Sequence, residues 1–511
     1  MSASPILRVI LFFILCSNSS YAQVFPQENS VLNYRIIGFS FPAVPKATDY
    51  KIEVMPGNVT TTAAFKVELS STPSDKNRII CEVPSFGSQY TWRISYNING
   101  KQKTSRLGHF STGISQSVDT TQSRLQISKN FTDTAQYYLL VDGNGTMYDL
   151  NGNPVWYLAT QSKMIKSSMD LKKTKFHTLT FMSGRGSEEI DYDCNVLWEA
   201  PNNVGNNNAN MLSMGYHHEF TRAARNSYFV LCNEIKLQGP AKVQKDNRYV
   251  YFPNANENPV SECILFDFNT CGNTLWSWNS SDYLKKSDLG YLPNTVFQGH
   301  ENSFYFDSAE QSIYLSYAGM NRIVKINYPS GNIEQVYGNT LSQTQAGSSL
   351  LATQNQLEIK KTLDSYVFKG EHNCTKSPTG DLMLYNNNLG DTIPPEVLIL
   401  NPDHGNLTKK WSYKCPADLD SKQNPPPTNG GGGSVESFSD SLLLVQMNNP
   451  LNKTFIVNNK KELLWSGILE NKRGDNTWQS ASSYRACIVT RAELEELIWN
   501  SQRSNKMAGT Q

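Results

Sequence analysis

Four of the chain's seven histidines fall in three short strand-like segments. These are Gly215-Tyr216-His217-His218-Glu219-Phe220, Gly299-His300-Glu301-Asn302-Ser303-Phe304 and Gly370-Glu371-His372-Asn373-Cys374. Imidazole can change charge near neutral pH and can attack an electrophilic centre, so a cluster of such rings is equipped for proton and group transfer. A lone histidine in a strand is usually packed or hydrogen-bonded without reacting. Histidines at matching places in separate repeats favour chemistry, because structural roles rarely require one polar ring in every copy.

Aligning the segments by their downstream Asn226-Ser227-Tyr228 and Gly380-Asp381-Leu382 puts His218 and His372 at the same repeat position. A slip of one residue would exchange His218 for His217. His300 and Asn302 fall slightly upstream, which predicts a bulge or a longer entry to that strand. Cysteine spacing includes no C-x-x-C, so no structural zinc is expected. The glycine run 430–433 lacks the lysine and the strand-to-helix context of a phosphate loop, and no cofactor is expected.

The elements that must position these residues are short strands. From about residue 24 to 115 five alternating segments separated by turn signals predict an immunoglobulin- or fibronectin-like sandwich, including Ile36-Ile37-Gly38-Phe39-Ser40-Phe41, Phe65-Lys66-Val67-Glu68-Leu69 and Tyr90-Thr91-Trp92-Arg93-Ile94-Ser95-Tyr96. Beyond a Ser/Thr/Gln-rich linker at 115–123, a looser unit recurs: strand, turn, a strand ending in Asp or Asn, a Gly or Asn turn, and a closing strand that often carries Trp. Trp156, Trp198, Trp276, Trp411 and Trp465 mark the ends of such units. Six units fit residues 125–511 at the blade length of about 40–50 residues, so an all-β, six-bladed propeller is expected after the sandwich. Insertions at 236–259, 340–359 and 416–434 belong in loops at one rim. One helix is expected, at 492–501.

The bulk composition fits this reading. The 511-residue chain carries 46 basic and 45 acidic residues, which gives no electrostatic case for nucleic acid or anionic membranes as partners. Arg8 and the apolar run 9–15, followed by a polar stretch to Ala22, form the layout of a signal peptide spanning 1–22, and the run is too short to cross a bilayer. The mature chain is therefore expected to be secreted or periplasmic, without membrane insertion. Eight cysteines remain after the leader, an even number that allows disulfides in an oxidising compartment. Nothing in the sequence sets the oligomeric state.

From about residue 130 to the C-terminus the chain resembles the arylsulfotransferase family, exported aryl-sulfate sulfotransferases that work without the adenylyl sulfate cofactor. The resemblance rests on the order and spacing of several pieces. They are His217-His218 before an acidic residue, His300-x-Asn302-Ser303, His372 ahead of Gly380-Asp381-Leu382-Met383-Leu384-Tyr385-Asn386-Asn387, and Tyr484-Arg485-Ala486. The resemblance implies a six-bladed propeller and a ping-pong transfer in which His372 is transiently sulfurylated. His218 and His300 would act as proton or charge partners, and Asn302, His217 and Arg485 would contact substrate. Donor and acceptor would be a phenolic sulfate ester and a phenol.

The sequence departs from the family at one point. Where an arginine usually follows the His-x-Asn motif, this chain has Ser316-Tyr317-Ala318-Gly319-Met320, with Arg322 four residues beyond Ala318. Either another cation such as Arg485 meets the sulfuryl oxygens, or neutral donors do. A binding propeller without turnover and an aryl sulfate hydrolase are the alternative functions, although the C/S-x-P-x-R motif of common sulfatases is absent. Asn373-Cys374-Thr375 is a glycosylation sequon beside His372 and is expected to stay unmodified.

Overall fold

The computed structural model describes residues 24–131, 134–159, 168–183, 186–201, 211–236, 242–243, 250–251, 260–284, 290–291, 297–338, 367–389, 394–403, 406–415, 432–448 and 451–508. The leader and most of the three expected insertions lie outside them. The described chain is nearly all β and divides into two compact units.

In the first unit, which contains residues 37–82 and 89–111, the main sheet orders strands Gly108–Thr112, Gln89–Ile98, Ala47–Pro56 and Leu69–Ser70. A two-stranded sheet pairs Ile36–Ser40 with Arg78–Glu82. Alternation places Ile52, Val54, Tyr90 and Trp92 inward, and Phe39 meets the Trp92 ring edge-on with centroids 4.9 Å apart. The expected strand at 65–69 is shorter than its pattern suggests. Only Leu69–Ser70 pairs, while Phe65 is buried under the Arg93 guanidinium, 4.5 Å from its ring centroid.

Among its described residues the second unit, which holds residue 112 onward, contains six sheets each built on four antiparallel strands in series. Their closing strands are Pro154–Tyr157, Val196–Glu199, Thr274–Asn279, Ile333–Gly338, Asn406–Lys414 and Leu463–Lys472. The first sheet takes its innermost strand, Ala486–Thr490, from the far end of the chain. The six innermost strands are Ala486–Thr490, Ser168–Lys173, Met211–Ala224, Glu301–Asp307, Glu371–Lys376 and Ser434–Ser437, and they neighbour one another in a closed cycle.

Two features of the repeat have direct physical causes. The Asp or Asn ending a strand turns the chain by accepting backbone N–H groups: Asp149 Oδ1 accepts from Asn151 and Asn153, and Asn269 Oδ1 from Cys271 and Asn273, all at 2.8–2.9 Å. In five of the six sheets a closing tryptophan stitches the sheet to the next one in the cycle, and only Ile333–Gly338 carries none. Trp156 Nε1 donates to Tyr192 O, Trp198 to Asn269 O, Trp276 to Pro329 O and Trp411 to Asn459 O, at 2.8–3.2 Å. Trp465 donates to Leu150 O at 2.8 Å, which ties the last sheet to the first.

The C-terminal helix, Arg491–Ala508, is longer than expected. It starts in a capping box in which Thr490 Oγ1 accepts from the Glu493 N–H while the Glu493 carboxylate accepts from the Thr490 N–H. Leu494, Leu497 and Ile498 are buried. No described helix is long and apolar enough to cross a membrane.

The cysteines correct an expectation, because all eight are free. Cys232 and Cys263 lie on paired strands, but Cys232 pairs with Ile264 and Cys263 with Asn233. Neighbouring positions on a strand face opposite ways, so Cys232 packs with Val230 and Ile264 while Cys263 packs with Leu231 and Leu265 across the sheet. Cys374 and Cys415 are buried in two further core clusters.

Candidate active site

Four consecutive inner strands break their ladder at the same level. The register shifts between Met169 and Lys172, Tyr216 and Phe220, Glu301 and Ser303, and His372 and Thr375. Beside each break a non-glycine residue is left-handed: Asp170 (φ 55°), His218 (φ 61°), His300 (φ 52°) and Asn373 (φ 55°). That conformation costs an L residue about 1–2 kcal/mol, so it persists only where the surroundings enforce it. Bulges of this kind re-aim side chains. Here they bring together rings that lie 154 residues apart in sequence between His218 and His372.

The rings form a chain. His217 and His218 are edge-on with Nδ1 atoms 2.6 Å apart, His218 is 5.9 Å from His300 between centroids, and His300 is 6.1 Å from His372. Tyr484 closes on His218 at 5.5 Å. His372 is held on both ring nitrogens. Its Nδ1 lies 3.0 Å from Gly370 O, and its Nε2 accepts from the Gly432 N–H at 3.0 Å. Asn387 Nδ2, 3.0 Å from Nδ1, donates to the same Gly370 carbonyl at 2.7 Å. The carbonyl requires a proton on Nδ1, so the lone pair is on Nε2.

Burial disfavours the charged form of three of the four rings. Burial pushes the His372 imidazole down to about 3, against the Gly370 carbonyl, with the charges of His300 and Arg485 adding to the fall. Burial likewise holds His218 well below the usual imidazole value, assisted by His217, His300, His372 and Arg485. His300 is also lowered by burial, in part offset by Glu301. Burial raises Glu371, the residue before His372, well above the usual carboxylate value.

Asn302 is fully buried. Its amide donates to Glu371 O at 2.7 Å and so ties its strand to that of His372, while its own carbonyl accepts from Tyr484 Oη at 3.3 Å and Arg485 Nη2 at 3.1 Å. Arg485 is buried and shares Nη1 between Asp170, at 2.7 Å, and Glu219. Lys172 bridges the same two carboxylates. Burial would raise Glu219, but Arg485 and Lys172 outweigh it and hold its carboxyl low. Asp142 accepts the backbone N–H groups of Asp170, Tyr484 and Arg485, yet burial lifts it to about 6. The guanidinium charge is therefore balanced in place by two carboxylates.

A cavity of about 650 Å³ is lined by Asp170, Lys172, Glu219, Arg222, Thr375 and Arg485 among others, but by none of the four histidines. Asp170, Glu219 and Arg485 thus line this cavity, and the Arg485 charge acts on His218 and His372. Tyr216, Tyr317 and Tyr385 belong to hydrophobic core clusters. Arg322 is buried opposite Tyr317 on the next strand. Asn373 is buried and its Oδ1 accepts from the Val435 N–H at 2.9 Å, leaving no room for a glycan.

Several residues of the site escaped the sequence. Glu301 and Glu371 were visible only as neighbours of histidines, and Asn387 only as one of three consecutive asparagines. Gly432 acts through its backbone N–H, which has no side-chain signature.

The fold and the cluster define a β-repeat protein in which three neighbouring inner strands bring four imidazoles together. The chain belongs to the arylsulfotransferase family, whose model matches residues 112–415. No curated protein matches it significantly. Among solved structures it is similar to a luciferin-regenerating enzyme at 7% identity, TM-score 0.33, covering 72% of this chain and 97% of that one. An auxiliary nutrient binding protein from Bacteroides ovatus aligns at 10% identity, TM-score 0.33, covering 93% and 95%. Likenesses this distant carry no inference about activity.

Proposed function

We propose that the protein is an exported aryl-sulfate sulfotransferase that moves a sulfuryl group from a phenolic sulfate ester to a phenol through a sulfohistidine at His372. The second unit is read as a six-bladed propeller, on the strength of the closed cycle of inner strands and the tryptophan stitches, and the first as a sandwich. Export rests on the leader-like sequence at 1–22.

The observation that carries the reaction is the state of His372: neutral, buried, its proton on Nδ1 toward Gly370 O and its lone pair on Nε2. Sulfuryl transfer, like phosphoryl transfer, passes through a loose transition state with charge on the equatorial and leaving oxygens. Nε2 attacks sulfur in line, the S–O bond to the aryl oxygen breaks, and the phenolate departs. In the second half the acceptor phenol gives up its proton to His218, its oxygen attacks sulfur and neutral His372 is released. His300, between the two rings, donates to the oxygen on which charge develops. The Gly432 N–H, freed from Nε2 by the new S–N bond, and the remaining amide hydrogen of Asn302 meet the sulfuryl oxygens as neutral donors. Arg485, balanced by Asp170 and Glu219, supplies field rather than a clamp.

Incubation of the purified protein with 4-nitrophenyl sulfate, with and without phenol, tests the reading. Acceptor-dependent nitrophenolate release that disappears in His372→Ala is expected. Steady release without acceptor would mean hydrolysis, and no release from any aryl sulfate would mean a binding protein.

A further inference from the structure

The contact between His217 and His218 fixes one proton. Two N–H groups, or two lone pairs, cannot face each other across 2.6 Å, so one Nδ1 donates to the other. If His217 were the donor, its Nε2 lone pair would face the Glu301 carboxyl, whose Oε1 lies 3.5 Å away. If His218 is the donor, His217 carries its proton on Nε2 and presents it to that carboxylate. Among the described residues neither His217 Nε2 nor Glu301 Oε2, both buried, has a hydrogen-bond partner, and Glu301 is only 4% exposed. An uncompensated carboxylate is costly there, which selects the second arrangement.

We propose that Glu301, His217 and His218 form a proton relay in which Glu301 sets the tautomers and leaves His218 Nε2 as the base for the phenolic acceptor. The relay rests on the sulfotransferase reading and gives His217 a role other than touching substrate. As the phenol O–H bond breaks, its proton goes to His218 Nε2 and the His218 Nδ1 proton passes to His217 Nδ1. The positive charge then lies on His217 against Glu301, and the extra proton leaves to solvent before the next cycle. His300, His372, Arg485 and Tyr484 face the pair from neighbouring strands and Glu219 follows it on its own, so Glu301 is the carboxylate placed at the His217 end. Glu301 and His217 are positioning residues, because they act through His218.

Rapid mixing separates the two halves. With 4-nitrophenyl sulfate alone the wild type should give a burst of one nitrophenolate per site, and added phenol should then discharge the enzyme. In Glu301→Gln the discharge should slow about 10- to 100-fold more than the burst, a part of the roughly 10²–10⁴-fold available to general base catalysis. Its acid limb should move to lower pH, because removing a carboxylate weakens the pair as a base. Glu301→Asp should recover part of the rate, and it serves if the glutamine variant does not fold. A burst in the wild type with discharge and acid limb unchanged in both variants, or both halves slowed equally with the limb unmoved, would overturn the relay alone. No burst in the wild type would overturn the sulfohistidine reading and the relay with it.

Discussion

The backbone N–H of Gly432 lies 3.0 Å from Nε2 of His372 and donates to the lone pair proposed to attack sulfur. This contact requires the chain to approach very closely. Gly432 and Gly433 both adopt positive φ, 107° and 100°, and a Cβ on Gly433 would come within 2.3 Å of the Tyr385 ring. Only glycine fits that path.

Gly433→Ala should therefore displace the strap over His372. A loss of about 2–4 kcal/mol in stability is expected from the clash and the strained φ together, read from urea unfolding. The burst with 4-nitrophenyl sulfate should fall with it, because the Gly432 donor moves. Stability and burst equal to wild type would show that the strap is not a close contact.

Arg485 should matter more to the fold than to the affinity for sulfate. Arg485→Met leaves Asp170 and Glu219 buried with only Lys172 to balance them, a change that costs about 3–5 kcal/mol. Adding Asp170→Asn and Glu219→Gln should restore part of that loss in chemical denaturation. A single variant as stable as wild type would contradict the balanced-charge account.

The pH dependence follows from the buried imidazoles. A histidine whose folded value is depressed binds its proton in the unfolded chain first, so stability falls as pH drops below about 6.5 and continues to fall toward the folded value near 3. Each such group contributes roughly 1 kcal/mol per pH unit in that window. His372→Phe should flatten the stability profile between pH 6 and 4, as measured by thermal melting at a series of pH values. An unchanged slope would place the depressed group elsewhere.

Trp465→Phe removes the indole donor to Leu150 O, the stitch between the last and first sheets. A cost of about 1–3 kcal/mol is expected, because a buried carbonyl loses its partner. If the change is neutral in urea, the stitch does not hold the cycle.

The strands and their turns were legible because each rests on local chemistry. Alternating apolar residues, an Asp or Asn that accepts its own backbone, and a closing tryptophan recur in the sequence, and the tryptophan serves the same purpose in five of the six sheets. The irregularity at His300 was also legible, and it is the break between Glu301 and Ser303. What was hidden depends on contacts between distant segments. Pairing of Arg485 with Asp170 and Glu219 joins strands 315 and 266 residues apart, and the Gly432 donor is a peptide group. Disulfides were expected from an even count of cysteines, but a count does not say that Cys232 and Cys263 face opposite sides of one sheet.

The central claim is that His372 carries the sulfuryl group. Quenching the protein during the burst with 4-nitrophenyl sulfate, under conditions that preserve the S–N bond, and sequencing its peptides by mass spectrometry tests this directly. One added sulfuryl group on the peptide containing His372, localised to that residue and lost on addition of phenol, is the predicted result. A burst with the group on another residue, or with no modified peptide at all, would contradict it.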